Sequence, residues 1–471
     1  MALAMEQRWA RLLRAPSSCR RSANEAAEAA HRPRLVMAPR TKRAKGGDAR
    51  VSRQMPWIFR NEVVNVPELI QHGKTSLLVD VENSEGRELG VAMCTLARSG
   101  GINILVRIKQ GRMLTDNVAV HIDRSFLQGR LQRALEHRRR CFGDATSYRL
   151  VNAEGDLLPG VLCDRYGDTL CLQFTALAAE ELLREELLAA LEDLLSPKAI
   201  ILRYDVREDR QLEQAHVRPP ELARGASPGL LEVETASGFV FTADPLEEGW
   251  TSGAFFAERS LRKLLAEALR SSPEGQSSAV GERKGKAKGQ PPVPQVLSLF
   301  GESSGIFAAW KGAKVTCALH KGEGEKVARA ARELLARRNG CEEHVTYFSL
   351  GTEPRLDELG TCRGTFDVVL LEPPALAPSY GKLEEGERLY TAWIALAAAA
   401  CVPKGLLLVA CRSRTMSVVR LMRCINMGVW SAGLRARVVH RSAHAGLDSP
   451  IHFALQDTNQ FQLVALRLAA L

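Results

Sequence analysis

The chain has 471 residues, with 64 Lys and Arg against 54 Asp and Glu, and a formal net charge of +10. Residues 1–53 hold 13 of the basic and four of the acidic residues, so the other 418 are almost neutral, with 51 against 50. This distribution excludes a folded body that coats nucleic acid by bulk positive charge, and nucleic-acid binding by the body would need local patches.

Length and composition predict a globular protein with more than one domain. Domains run to roughly 100–200 residues each, and a hydrophobic share of 45% is ordinary for globular chains. No uncharged apolar stretch approaches the ~18 residues of a membrane span. The 11 cysteines are scattered, without a CxxC pair or zinc-like spacing, which predicts no metal site and a reducing compartment.

Residues 1–50 are predicted to be a disordered basic leader. Arg8, Arg11 and Arg14 alternate with apolar side chains at roughly helical spacing, and an Arg-rich, acid-poor segment is typical of an organelle transit peptide. A basic tether to RNA, a nuclear signal and a solvated tail are the alternatives. A transit peptide would place the protein in a mitochondrion or plastid, and otherwise we expect it in the cytoplasm.

Residues 51–120 follow as a small β-rich domain. Apolar runs at 75–82, 89–95 and 103–108 are separated by Gly and Asn turns, which is typical of short strands. Residues 121–141 predict an amphipathic helix with a basic polar face. Arg138, Arg139 and Arg140 on that helix are candidate phosphate contacts, and a solvated face is the alternative.

The helix opens a central α+β domain, which we place at residues 121–235. Strand-like and helical patterns alternate here. The predicted strands are 161–164, 169–175, 199–204 and 230–233, the helix is 178–195, and a further strand at 238–242 follows the boundary.

Residues 236–471 form the last predicted domain. Its Ser-, Gly-, Lys- and Pro-rich segment 271–294 cannot bury a core and is predicted to be a flexible insertion. Apolar strands then alternate with helices, which predicts a doubly wound parallel sheet with ligands beyond its carboxyl ends. The strands are 296–300, 315–319, 366–371 and 406–411, and the helices are 323–338 and 389–401.

Several motifs of this chain resemble those of the bacterial large-subunit rRNA cytosine-C5 methyltransferases that carry an N-terminal PUA domain. The motifs are residues 55–62 (MPWIFRNE), 148–160 (YRLVNAEGDLLPG), 164–168 (DRYGD), 203–210 (RYDVREDR), 251–259 (TSGAFFAER) and 448–450 (DSP). The resemblance covers residues 51–471. It implies an α/β fold with a Rossmann-like class I methyltransferase domain behind a PUA-like domain and a central α+β domain.

The resemblance also implies an S-adenosylmethionine (SAM) cofactor, and an rRNA or ribosomal particle as partner, with a homodimer left open. Trp57 of the PUA motif is implied as an RNA contact. The residues implied at the cofactor are Phe255, Phe256, Arg259, Ser298, Phe300, Gly301, Gly305, Leu319 and His320. In the family pattern an acid stands at the positions of Ser298 and Leu319, so the sequence predicts weakened SAM binding, because unpaired buried hydroxyls cost on the order of 1–3 kcal/mol each.

The implied catalytic residues are Cys411, Glu372, Pro373 and Pro374. Cytosine C5 becomes nucleophilic when a Cys thiolate adds to C6 of a flipped base, and an acid near the base assists. Glu372 stands at the family's Asp before Pro-Pro. When the chain is aligned with the family motif without gaps, Arg412 stands at the position of the nucleophile and Cys411 stands one residue earlier. In a strand, this offset of one residue turns the Cys411 side chain to the opposite face.

Three functions remain open from the sequence. The first is an RNA-binding methyltransferase fold with eroded SAM and catalytic motifs, active in organelle ribosome assembly or structure. The second is a working rRNA methyltransferase that makes 5-methylcytosine with Cys411 and Glu372. The third is an exocyclic-amine methyltransferase, which normally adds an aromatic residue after Pro-Pro, where this chain has Ala375. Basic clusters at 337–338 and 435–441 are further candidates for phosphate contacts.

Overall fold

The computed structural model describes most of the chain from residue 32 onward. The described residues are 32–39, 51–52, 54–96, 109–204, 218–235, 237–247, 254–270, 293–301, 303–320, 325–351, 354–355, 362–413, 415–442, 446–447, 449–455 and 461–470. The predicted strand at 103–108 and residues 271–292 of the predicted insertion lie outside them.

The helices are α1 (Val66–Ile70), α2 (Arg124–Phe142), α3 (Leu177–Leu195), α4 (Ala254–Ala257), α5 (Arg259–Arg270), α6 (Ser304–Trp310), α7 (Glu325–Arg338), α8 (Leu383–Ala400) and α9 (Val418–Ser431). The strands are β1 (Arg34–Val36), β2 (Trp57–Phe59), β3 (Ser76–Glu82), β4 (Glu88–Thr95), β5 (Lys109–Thr115), β6 (Ser147–Asn152), β7 (Val161–Tyr166), β8 (Thr169–Phe174), β9 (Ala199–Arg203), β10 (Glu221–Gly225), β11 (Leu231–Glu234), β12 (Val240–Ala243), β13 (Gln295–Leu299), β14 (Lys314–His320), β15 (Val345–Leu350), β16 (Phe366–Leu371), β17 (Cys401–Cys411), β18 (Leu434–Ser442) and β19 (Gln462–Ala470).

The N-terminal sheet has the strand order β1-β3-β4-β5-β2 and includes a strand that the sequence prediction missed. Strand β1 lies within the predicted disordered leader, yet it pairs in parallel with β3, and the side chains of Leu35 and Met37 are fully buried. The leader prediction is therefore wrong for residues 32–39. Its error arose because basic residues on both sides hid a short alternating apolar pattern.

The central sheet has the order β10-β9-β8-β7-β6 and is covered by α2 and α3. Helix α2 begins where the Asp123 carboxylate accepts a hydrogen bond from the Phe126 N–H, and it ends at Gly143, whose φ is +60°. The hairpin of β11 and β12 packs its apolar side chains on the C-terminal domain instead. The predicted boundary at residue 235 therefore cuts through a hairpin and lies too late.

The C-terminal sheet has the order β15-β14-β13-β16-β17-β19-β18. Neighbouring strands from β15 to β17 are parallel, and β19 runs antiparallel to both β17 and β18. Helices α8 and α9 cover one face, and α5, α6 and α7 cover the other. The predicted doubly wound sheet is confirmed, and the reversal of strand order at β13 and β16 creates the crevice where such sheets bind ligands.

Candidate functional site

The crevice at the carboxyl end of β13 is built around Gly301. A Cβ atom on this residue would lie 2.4 Å from Glu372 Oε1 and 2.8 Å from Ser298 Oγ, so any other residue would force these two side chains to move. Both oxygens are buried and have no hydrogen-bond partner among the described residues. The preceding residue, Phe300, has a φ of +67° and contacts Trp393 edge to face, at 4.6 Å between ring centroids. This strained turn brings two unpaired polar atoms to one point.

Helix α6 begins directly beyond this turn and packs tightly on the sheet. A Cβ atom on Gly305 would lie 2.8 Å from the Ser298 side chain and 3.3 Å from Cys317 Sγ, which explains the glycine as a packing requirement. The neighbouring Ser304 hydroxyl donates a hydrogen bond of 3.1 Å to Glu372 Oε2. Of the residues predicted at the cofactor, Ser298, Phe300, Gly301 and Gly305 are thus brought together.

Glu372 is held in place by the sheet itself. Its backbone N–H donates to the Leu299 carbonyl at 3.1 Å, which continues the pairing of β16 with β13 by one residue. Pro373 behind it is buried, whereas Pro374 and Ala375 are exposed. The Glu372 carboxyl group therefore points into the crevice, and the Pro-Pro pair ends the strand beside it.

A second carboxyl group and two arginines complete a buried charged cluster. Arg412 donates a hydrogen bond to Glu258 Oε1, and its guanidinium lies 3.9 Å from Glu372 Oε2. Glu258 Oε2 accepts from the Ser303 hydroxyl at 2.8 Å and from Arg262 at 3.3 Å. We call Glu258, Arg262, Glu372 and Arg412 the charged cluster. Burial, and then the charge of Glu258, raise the pKa of Glu372 to about 8.

Replacing Glu372 with Gln is expected to flatten the dependence of stability on pH. A carboxyl group with a raised pKa keeps its proton in the folded state after the unfolded chain has lost its own. The protonated Glu372 side chain therefore makes its full contribution to the free energy of unfolding below the ordinary Glu pKa. This contribution is lost as pH rises towards 8. The wild type should lose about 2 kcal/mol more than Glu372→Gln between about pH 6 and pH 7.5, at about 1.4 kcal/mol per unit.

Urea unfolding at the two pH values measures this difference. Glu387→Gln, which alters an acid paired with the partly exposed Arg420, serves as the control and should track the wild type. Parallel curves for the wild type and Glu372→Gln would contradict a proton held on the buried carboxyl.

The predicted nucleophile does not reach the crevice. The Cys411 side chain is 1% exposed and packs in the core cluster beneath α8, on the face opposite the charged cluster. Burial raises the pKa of its thiol, which disfavours the thiolate that catalysis needs. Arg412, the next residue, points towards Glu258 and Glu372. The one-residue offset thus has the consequence that strand alternation predicts.

The ends of β14 and β15 carry few polar groups that could bind a ribose. Leu319 is 2% exposed, and the side chain of His320 lies outside the described residues. The Ser349 hydroxyl donates to Glu325 at the start of α7, and Arg332 on the same helix donates to the Gly301 carbonyl at 3.2 Å. Sequence reasoning missed Glu325 and Arg332, because no motif links a helix to a strand end far along the chain.

Two residues predicted at the cofactor lie elsewhere. Phe256 is buried and stacks on Tyr166 of the central sheet, with ring centroids 5.1 Å apart. Arg259 lies over the Phe142 ring at 4.5 Å and donates to the Ser147 carbonyl. These positions are a correction: both side chains join the central and C-terminal domains. The side chain of Phe255 lies outside the described residues.

The residues predicted to contact RNA differ in their exposure to solvent. Arg139 and Arg140 are exposed on α2. Arg138 is 0% exposed and forms a two-pronged ion pair with Asp156, so it is corrected to a core residue. Trp57 is half-buried, and its Nε1 donates to Glu154 Oε1 at 2.8 Å, which ties the N-terminal domain to the central one.

Two features are absent from the residues that the structure describes. No group of three or more His, Cys, Asp or Glu side chains in those ranges is arranged to hold a metal ion. None of the described helices is long and apolar enough to cross a membrane.

Comparisons with known proteins agree with this architecture. Residues 44–105 match the model of a PUA-like domain. The chain is 28% identical over 426 residues to "Ribosomal RNA large subunit methyltransferase I" of Shewanella amazonensis, which covers 89% of this chain and 97% of the relative. The same enzyme of Shewanella denitrificans is also 28% identical, with the same coverage. The protein is therefore rRNA methyltransferase-like along most of its length.

Solved structures show the same fold. A protein of Streptococcus mutans assigned as a SAM-dependent methyltransferase superposes with a TM-score of 0.68 and 16% identity, covering 92% of this chain and all of that one. Another protein assigned as a methyltransferase, solved in complex with SAH, gives 0.65 and 17%, covering 92% and 99%. The predicted fold class, an α/β methyltransferase fold behind a PUA-like domain, is confirmed.

Proposed function

We propose that this chain is an RNA-binding, rRNA methyltransferase-like protein whose methyl-transfer site has been converted into a buried charged cluster, and that it acts in ribosome assembly or structure. The observation that carries the proposal is the arginine that stands at the end of β17 in place of the expected cysteine nucleophile. Arg412 occupies the position of the expected nucleophile, and the thiol of the preceding residue, Cys411, is buried on the other face of the sheet.

The residues fit SAM at one end of the crevice only. Gly301 leaves room for close approach, and Glu372 Oε1 and Ser298 Oγ lack partners there among the described residues. At the ribose end, the position of the expected acid is the buried Leu319. Hydroxyl groups that face an apolar side chain lose about 1–3 kcal/mol each, so the affinity for SAM should be at least ~100-fold below that of an intact site. We therefore derive no catalytic step through SAM.

Isothermal titration with SAM tests this part of the proposal, with the Shewanella amazonensis relative as a positive control. We expect no saturable binding at micromolar SAM and no transfer of labelled methyl groups to large-subunit rRNA. Micromolar binding together with methyl transfer would overturn it. Binding of the same rRNA, measured separately, tests RNA recognition, which is supported by the PUA-like match and the rRNA methyltransferase relatives.

One observation favours the second candidate, an active methyltransferase that makes 5-methylcytosine. With a pKa of about 8, Glu372 carries a proton near neutral pH and could donate it to a flipped base. In that case bisulfite sequencing would detect methylcytosine that depends on the protein, and both Cys411→Ala and Glu372→Gln would abolish it. The first proposal expects no such methylcytosine.

The basic leader supports localisation to a mitochondrion or plastid. If the leader is removed, cleavage should fall before Arg32, because Arg32 forms an ion pair of 2.7 Å with Asp80 and the next residues form β1. Sequencing the N-terminus of the protein recovered from cells tests this, and a mature chain that begins after residue 37 would contradict it. Homodimer formation is a separate question, which sedimentation would answer.

A further inference from the structure

The last three strands of the C-terminal sheet carry an uneven distribution of charge. Strands β17, β19 and β18 lie side by side at one end of the sheet and contain four arginines, one lysine and no acidic residue. The chain beyond its first 53 residues is almost balanced as a whole, with 51 basic residues, these five included, against 50 acidic ones. Positive charge is therefore concentrated at this end of the sheet, in a body that is nearly neutral as a whole.

The strand register places three of these charges on one face. Arg437 lies directly opposite Arg467 across the pair of β18 and β19, and Arg435 lies two residues before Arg437 on the same face. The Arg467 guanidinium donates to the carbonyl of Lys404, whose side chain is exposed at the next strand. Like charges opposite each other on a sheet are destabilising, so this arrangement costs stability.

In the part of the chain that the structure describes, these arginines also lack the acidic partners that other surface arginines have. Arg224 pairs with Glu185, Arg329 with Glu333 and Arg338 with Glu232. Within the described residues, no carboxylate forms an ion pair with any arginine of β18 or with Arg467. The charge is therefore available for an external anion.

The strand is poorly suited to pair with another protein strand. Its register shifts between Val438 and His440, so Val439 forms a bulge, and bulges and edge charges both oppose edge-to-edge pairing. A second copy of the chain would bring two sets of arginines together. RNA does not need to pair with the strand edge, and its phosphates attract the arginines instead of repelling them.

We propose that Arg435, Arg437 and Arg467 form an RNA-binding surface, which we call the basic edge, that holds RNA through its phosphates. The surface lies at the amino end of the parallel strands, whereas the crevice around Gly301 lies at their carboxyl end. The basic edge thus anchors RNA away from the crevice. This inference rests on the RNA-binding part of the proposed function.

Fluorescence anisotropy of the full-length protein with a labelled oligouridylate of ~30 nucleotides tests the proposal over a range of salt concentrations. Arg435→Ala/Arg437→Ala should weaken binding by about tenfold and lower the slope of log affinity against log salt by ~1.4, which corresponds to two phosphate contacts.

The matched control is Arg224→Ala/Arg329→Ala, which removes two positive charges from arginines that already have acidic partners. It should bind like the wild type. If the control and Arg435→Ala/Arg437→Ala lose affinity equally, or if neither loses any while the wild type binds, the basic edge is overturned and the proposed function stands. If the wild type itself binds neither oligouridylate nor rRNA, RNA binding as a function fails. A change of oligomeric state in Arg435→Ala/Arg437→Ala with unchanged RNA affinity would identify a protein interface instead and overturn the proposal.

Discussion

Replacing Arg412 with Ala is expected to destabilise the protein by about 3–5 kcal/mol, because the substitution breaks a buried ion pair with the Glu258 carboxylate. Arg412 binds Glu258 and lies 3.9 Å from Glu372. The Glu258 and Glu372 side chains are 5% and 0% exposed, so water cannot replace the lost guanidinium. Arg262 would still pair with Glu258, and Glu372 would lose its nearest cation.

Urea unfolding near neutral pH measures this loss. Arg420→Ala is the matched control, because Arg420 also pairs with one glutamate, but at a partly exposed site where such pairs are worth about 0–1 kcal/mol. Adding Glu258→Gln to Arg412→Ala should recover part of the lost stability, since it removes the buried carboxylate charge that Arg412 had balanced. A loss no larger than that of the control would show that the charged cluster does not hold the crevice together.

Under the proposed function, the charged cluster accounts for positions at which this chain differs from the family pattern. Arg412 stands where the pattern has the nucleophile, and Glu372 stands where it has Asp. Arg412 pairs with Glu258 and lies 3.9 Å from the carboxyl group of Glu372, which holds a proton near neutral pH. An unpaired charge in the core would be costly. The proposed function therefore treats the crevice as rebuilt around the pair of Arg412 and Glu258.

Sequence reasoning located the crevice but not this network. The apolar runs of β13, β14, β16 and β17 are local patterns, and their alternation with helices was sufficient to predict the doubly wound sheet. Part of the predicted site then met at the crevice, namely Ser298, Phe300, Gly301, Gly305 and Glu372. The contact between Arg412 and Glu258 joins residues 154 positions apart, and no spacing rule gives such a pair.

The same distinction applies to helix α2. Its arginines were predicted as one basic face, because the sequence shows charge but not what lies opposite each side chain. Arg138 turns inward, where its Nε donates to the Arg149 carbonyl at 2.7 Å and its other nitrogens bind Asp156. Asp156 also accepts a bond of 2.6 Å from the Asn152 N–H at the end of β6. One buried guanidinium thus fixes a helix, a strand end and a turn.

Arg138→Ala is accordingly expected to cost about 3–5 kcal/mol of stability, because it leaves a buried carboxylate unpaired. Arg139→Ala removes the same charge from the next residue, which is exposed, and should change stability by no more than about 0.5 kcal/mol. Urea unfolding of both variants separates the two roles. A double-mutant cycle with Asp156→Ala should return a strong coupling energy for Arg138 and none for Arg139. Equal, small losses of stability at both positions would indicate that Arg138 is exposed. They would also restore the prediction that this arginine contacts RNA.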